Sequence, residues 1–198
     1  MKLVVFDMGN VFIDFNWDVV CAAFAGCAGI PRDRFGHLYE CVGNLGYEKG
    51  QISTEDFLAE LNRLFKLKLD ISQFTQVWNA SFREDTDMRL LMDQLAQRWP
   101  LYLLSNTNEN HFSYLQERFD VARHFKEMIL SFEVGHAKPE AEIYEEVSKR
   151  SGFALADCLF IDDLEPNIEA AQRLGMNTIL YRGIEDLRHR LPKFGVTV

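Results

Sequence analysis

The stretch that most restricts what this chain can fold into is Leu3-Val4-Val5-Phe6, an unbroken apolar run rich in β-branched and aromatic side chains that stops at Asp7. So short a run, without alternation, suits a strand covered on both faces, as in a parallel sheet. A carboxylate closing such a strand stands at the edge where open α/β sheets bind their ligands. Gly9-Asn10 then supplies residues that tolerate the unusual backbone angles of a tight turn. Taken alone, Asp7 would serve as well as a cap for the turn or for the next helix. Residues elsewhere in the chain must decide.

With 198 residues, 47% hydrophobic and 26% charged, the chain is of ordinary globular composition and long enough for one core plus a small insert. A formal net charge of −9 argues against nucleic acid or an anionic membrane surface as the main partner, since both reward Lys and Arg. A small phosphorylated ligand stays compatible, because one lysine and a few backbone N–H groups can hold an anion. The cysteines Cys21, Cys27, Cys41 and Cys158 form no CxxC pair and have no histidine at metal-ligand spacing, so buried reduced thiols are expected. Asp7 interrupts the apolar run too early for a signal peptide, and no apolar stretch approaches the roughly 20 residues of a membrane span. A cytoplasmic protein is expected; no pattern sets an oligomeric state.

From Asp14 to about Phe82 the periodicity is helical. One helix carries Val19, Val20, Ala23, Phe24 and Cys27; a second is expected from Pro31 through Phe35, Leu38, Tyr39 and Val42 to Gly43-Asn44. A third follows the Ser53…Asp56 capping pattern, and a fourth covers Ile71 to Phe82. After Asp85, helices alternate with short apolar runs at Leu101–Leu104, Met128–Leu130, Cys158–Ile161 and Asn177–Tyr181. That alternation calls for a doubly wound, Rossmann-like parallel sheet with right-handed crossovers. The expected organisation is an α/β core from residues 1–13 and 86–198, with residues 14–85 inserted as a small all-helical cap.

Polar residues fall at the strand ends. Asp7 closes the first strand, Ser105-Asn106 the second and Asp162-Asp163 the fourth, while Lys138 follows the third at a loop-to-helix junction. In a parallel sheet these points share one edge, where three carboxylates, a hydroxyl, an amide and an ammonium converge. Adjacent acids after an apolar run are costly unless a cation compensates them. Mg²⁺ suits such oxygen ligands, and Ser105 and Lys138 read as donors to phosphate oxygens.

On these residues the chain resembles the haloacid dehalogenase (HAD) superfamily over its full length. Asp7-Met-Gly9-Asn10-Val11 resembles the first motif, which implies Asp7 as the nucleophile that becomes phosphorylated. Ser105-Asn106-Thr107 and Lys138-Pro139-Glu140 resemble the second and third motifs, which bind and neutralise the transferring phosphoryl group. Asp162-Asp163, with Asn167 following, resembles the acidic fourth motif. The resemblance implies that Mg²⁺ is held by Asp7, the Gly9 carbonyl and Asp163, with Asp162 direct or through water, and that Asn10 helps to hold phosphate. Gly-Asn-Val and Lys-Pro-Glu-x-x-Ile-Tyr further resemble bacterial sugar phosphatases of the glucose-1-phosphate phosphatase type. The activity implied is hydrolysis of a small phosphorylated metabolite.

The chain departs from that pattern at Gly9, where most phosphatases of the superfamily carry the aspartate that acts as general acid and base. Glycine transfers no proton, so a contribution of typically 10²–10⁴-fold must come from elsewhere or be unneeded. Asp14 and His136 are the stand-in acids the sequence offers. Two other readings stay open: a 2-haloacid dehalogenase, whose relatives also lack that aspartate, and a non-catalytic phosphate-binding or phosphoacceptor protein. Phe15, Trp17, Tyr39 and Tyr47 are candidates for a sugar-stacking face.

Overall fold

A computed structural model of the chain describes residues 1–197. The first strand, β1 (Leu3–Phe6), leads into a two-residue strand β2 (Ile13–Asp14). Four helices follow: α1 (Trp17–Ala28), α2 (Leu38–Asn44), α3 (Thr54–Phe65) and α4 (Ile71–Trp78). Then come β3 (Arg83–Glu84), α5 (Thr86–Ala96), β4 (Leu101–Ser105), α6 (Glu109–Phe119), β5 (Glu127–Leu130) and the short α7 (Ser131–Val134). The chain continues with α8 (Ala141–Ser151), β6 (Cys158–Asp162), α9 (Glu165–Arg173), β7 (Asn177–Leu180) and α10 (Ile184–Arg190).

Five strands form one parallel sheet in the order β5-β4-β1-β6-β7, with β1 at its centre. All four β1 side chains are fully buried. Val4 and Phe6 pack with Met88, Leu91 and Leu95 of α5 on one face, whereas Leu3 and Val5 pack with Tyr144 and Val147 of α8 on the other. Alternate residues of one apolar run therefore meet helices on opposite sides, which is why the run shows no polar alternation.

A separate apolar cluster unites the four helices between β2 and β3. Its centre is Trp78, whose ring lies 5.4 Å from both Phe57 and Phe74 and 5.6 Å from Trp17. The strands flanking this segment pair antiparallel, Ile13 opposite Glu84 and Asp14 opposite Arg83, so the outgoing and returning chains are fastened side by side. Ser53 caps α3 as its spacing predicts, its hydroxyl accepting from the Asp56 N–H at 3.1 Å.

Three expectations are corrected. The helix expected from Pro31 to Asn44 is split: Arg32–Phe35 is a single 3₁₀ turn, and α2 begins only beyond Gly36, whose flexible backbone disfavours continuation. Helix α4 stops at Trp78 because the Asn79 amide turns back to the Thr75 carbonyl and across to Asn110, both at 2.8 Å. The cysteines are free, yet only Cys158 is buried and Cys27 is exposed. No helix among the described residues is long and apolar enough to cross a membrane.

One turn brings the helical segment onto the sheet. Tyr47–Lys49 is bracketed by left-handed glycines, Gly46 (φ 65°) and Gly50 (φ 64°). A Cβ at Gly50 would lie 2.2 Å from the Phe132 carbonyl of α7. Gly50→Ala is thus expected to combine backbone strain with a backbone clash and to destabilise the fold by about 2–4 kcal/mol, read as a lower denaturant midpoint.

Candidate active site

The carboxyl ends of the central strands build the site. The Asp7 N–H donates to the Ile161 carbonyl at 2.9 Å, continuing the ladder one residue past β1 and setting this carboxylate beside the end of β6. There Asp162 is completely buried, and its two oxygens accept from the Leu164 N–H at 2.8 Å and the Asn167 amide at 3.0 and 3.1 Å. Lys138, from the loop before α8, sends its Nζ between the two acids, 2.7 Å from Asp7 Oδ1 and 2.7 Å from Asp162 Oδ2. The Asn106 amide holds that loop, accepting from the Lys138 N–H at 2.7 Å and donating to the Lys138 carbonyl at 2.9 Å.

Charge is unbalanced here. Carboxylate oxygens of Asp7, Asp162 and Asp163 lie within 4.8 Å of one another, with one ammonium among them. Burial, reinforced by Asp162, pushes the Asp7 carboxyl up to about 7 against the pull of Lys138. Burial and then Asp162 likewise raise Asp163. Burial works against the Lys138 ammonium, but Asp7 and Asp162 together hold its pKa above the ordinary lysine value. An all-oxygen cluster with surplus negative charge is the donor set of a hard divalent cation. Asp162 has its lone pairs taken by Lys138, Asn167 and Leu164, whereas Asp163 lines the cavity with the Asn10 amide 3.4 Å from its carboxylate.

A cavity of about 360 Å³ opens over this cluster. Its wall carries Asp7, Gly9, Asn10, Asn106, Lys138, Asp163 and Asn167 among the residues expected from the sequence, and Phe15, Trp17 and Tyr39 from the helical side. Asn10 takes a left-handed conformation (φ 54°) with its side-chain oxygen accepting from the Phe15 N–H at 3.1 Å, so the turn also orients the aromatic wall. Trp17 stands edge-on to Phe15 at 5.0 Å and to Tyr39 at 5.4 Å.

Other expected residues lie off the wall. Ser105 is 1% exposed at the end of β4, its hydroxyl 3.5 Å from the Asn106 carbonyl. Asp14 is exposed in β2 opposite Arg83, and His136 is exposed with its Nδ1 3.6 Å from Glu140. Tyr47 is core rather than ligand platform: its ring stacks on Phe57 at 4.1 Å and its hydroxyl meets Thr54 at 2.9 Å.

Two titratable wall residues, Glu48 and His111, went unnoticed in the sequence, and Thr107, part of the second-motif match, had no role of its own assigned. Thr107 brings a buried hydroxyl with no hydrogen-bond partner among the described residues. His111 is buried beneath Trp78, its Nε2 3.3 Å from the Trp78 carbonyl and its Nδ1 3.2 Å from the Asn108 amide nitrogen, and burial lowers its pKa to about 3. Glu48 projects from the turn that packs on α7; burial raises its carboxyl pKa while Lys138 opposes the shift.

A sequence model of haloacid dehalogenase-like hydrolases matches residues 1–175. The chain belongs to that family. This HAD-like hydrolase is 30% identical to a D-ribitol-5-phosphate phosphatase of Bacteroides thetaiotaomicron, over 96% of this chain and 97% of that protein. It is 27% identical to a sesquiterpene phosphatase of Aspergillus oryzae over 88% of this chain and 87% of that one. Among solved structures, a HAD family enzyme from Bacteroides thetaiotaomicron in complex with magnesium and inorganic phosphate superposes with a TM-score of 0.84 at 28% identity, covering 96% of this chain and 98% of that one. The parallel sheet and its flanking helices are thus the HAD-like α/β fold, and the chain is an enzyme of the hydrolase class.

Proposed function

We propose that the enzyme is a Mg²⁺-dependent phosphatase of small phosphorylated metabolites, polyol or sugar phosphates above all, acting through an aspartyl-phosphate on Asp7. The observation that carries this reading is the Lys138 ammonium held 2.7 Å from both Asp7 and Asp162, with Asp163 beside them at a cavity wall. A carboxylate approaching a phosphate dianion meets strong repulsion, and the fixed ammonium offsets it where the equatorial oxygens gather charge. The Asp7 carboxylate attacks phosphorus in line, the leaving oxygen departs, and water then releases phosphate. Asp7, Asp163 and the Gly9 carbonyl are the groups that would hold Mg²⁺, which when bound supplies further neutralisation of the phosphoryl oxygens. Asp162 orients Lys138, Asn167 orients Asp162, and Asn106 holds the lysine loop. The Thr107 hydroxyl and the Asn10 amide are donors for phosphate, and Ser105 supports the strand end beneath them.

In this reading residues 14–85 act as a cap over a core of residues 1–13 and 86–198, excluding water during transfer. The volume of about 360 Å³ suits a small metabolite, and the Phe15–Trp17–Tyr39 wall presents an apolar face to the carbon chain of a polyol or sugar. The likeness to a D-ribitol-5-phosphate phosphatase supports the same class of substrate.

Phosphate release from a panel of ribitol 5-phosphate, ribose 5-phosphate, glycerol 3-phosphate and p-nitrophenyl phosphate tests the reading. Turnover is expected with Mg²⁺, to fall to background with EDTA, and to return on adding Mg²⁺ in excess. Chloride release from 2-chloropropionate without added metal, and no phosphate release, would favour the dehalogenase reading that Gly9 leaves open.

A further inference from the structure

If the enzyme splits alkyl phosphates, some side chain must protonate the leaving oxygen. Gly9 carries none, and Asp14 and His136 stand off the cavity wall. The titratable groups on the wall are Asp7, Tyr39, Glu48, His111, Lys138 and Asp163. Asp7 is engaged in attack, Asp163 in the acidic cluster, and Lys138 is held charged between two carboxylates. His111 has both ring nitrogens committed, to the Trp78 carbonyl and to the Asn108 amide. Burial raises the Tyr39 hydroxyl above its ordinary value, so it is no base for the hydrolytic half of the cycle. Glu48 is what remains.

Its position is built from both sides. On one side Tyr47 is locked into the helical cluster by its stack on Phe57 and its bond to Thr54. On the other, Lys49 pairs with Glu140, which is two residues beyond Lys138 and accepts from the Ala137 N–H at 3.1 Å. Gly50 then lies against the Phe132 carbonyl, where no side chain fits. Glu48, between these anchors, faces the cavity and feels the charge of Lys138. A Cβ added at Gly9, on the same cavity wall, would meet nothing within 4 Å, so that flank of the nucleophile is open.

Resting on the phosphatase reading above, we infer that Glu48 is the catalytic proton carrier of this enzyme. Its carboxyl gives a proton to the leaving-group oxygen as the Asp7–phosphorus bond forms and the ester P–O bond breaks. Its carboxylate then takes a proton from the water that attacks the aspartyl-phosphate, freeing Asp7 and phosphate and leaving Glu48 protonated again. Because the carrier sits on the helical segment rather than on β1, efficient proton delivery requires the turn to be seated on α7 and the Lys138 loop. Protonation is thereby tied to closure over the substrate.

The experiment compares kcat on the best alkyl phosphate of the panel with kcat on p-nitrophenyl phosphate, whose leaving group needs little protonation. Glu48→Gln is expected to lose about 10²–10⁴-fold on the alkyl ester and at least about tenfold less on the aryl ester. Gly9→Asp added to Glu48→Gln is expected to recover alkyl-phosphate turnover, since the open flank admits the new carboxylate. Equal losses on both esters, a change confined to KM, or a double variant no better than Glu48→Gln overturns the role. Absence of phosphate release by the unaltered enzyme from every ester of the panel overturns the phosphatase reading itself.

Discussion

Asp7→Asn is expected to lower phosphate release by about 10⁴-fold or more, on alkyl and aryl esters alike, the scale on which losing a covalent nucleophile acts. The uniform loss separates this position from Glu48, whose effect depends on the leaving group. It also separates nucleophile from metal ligand. An enzyme that used Asp7 only to hold a cation would regain much of its rate at high Mg²⁺, whereas one that needs its carboxylate as nucleophile would not. The fold should survive, because asparagine keeps the volume and removes one of three clustered negative charges. A thermal midpoint at or above that of the parent, together with the kinetic loss, is the expected pair of readings. Mass spectrometry of the parent, quenched in acid during turnover, should find phosphate on Asp7, and a turning-over enzyme without that adduct would remove the covalent intermediate.

How far the sequence alone reaches is clearest at individual residues. The strand ends were legible because their cause is local: an apolar run covered on both faces must stop where it meets solvent, and in a parallel sheet every such stop lies along one edge. Asp7, Asp162, Asp163 and Lys138 meet for that reason, and the cluster within 4.8 Å follows from topology. The paired strands Ile13–Asp14 and Arg83–Glu84 were not legible, since two residues carry no periodicity. Nor was Glu48. Its place depends on a 3₁₀ turn brought to the sheet by Lys49–Glu140 and by the approach of Gly50 to Phe132, contacts spanning some eighty to ninety positions of the chain. Tyr47 and Glu48 are neighbours with opposite fates, one in the core and one on the cavity wall, because successive residues of a tight turn point in different directions. The trace left in the sequence is Gly46-Tyr47-Glu48-Lys49-Gly50, an acid between two glycines in an otherwise helical stretch. Ser105 and Asn106 show the reverse case. Their position was legible, but the structure commits the Asn106 amide to the Lys138 backbone and leaves the Thr107 hydroxyl on the same cavity wall without a partner among the described residues.

Lys138→Met is expected to be the most destabilising single change in the site, by about 3–5 kcal/mol in metal-free denaturant unfolding. The lysine is 5% exposed and shares its charge between Asp7 and Asp162. Without it, two carboxylates stay in a site that excludes water, beside Asp163 and with no cation. The folded-state pKa of Asp7, already pushed up to about 7, must then rise further above the unfolded value near 4. A carboxyl whose folded pKa lies above its unfolded one costs stability at every pH above the unfolded value. The deficit should therefore be full near pH 8 and shrink as pH falls toward 4 and Asp7 takes up its proton. Mg²⁺ should recover part of it by replacing the lost positive charge, and Asp162→Asn in the Lys138→Met background should recover part by removing one charge, a coupling that a double-mutant cycle measures. Lys138→Arg is no rescue, since the wider guanidinium fork cannot occupy the point between oxygens that each lie 2.7 Å from a single Nζ. Activity should fall by about 10²–10³-fold in the methionine variant even where Mg²⁺ restores the fold. A stability loss under about 1 kcal/mol would mean that the carboxylates relax into water once the ammonium is gone, and that the lysine is needed for phosphoryl transfer alone.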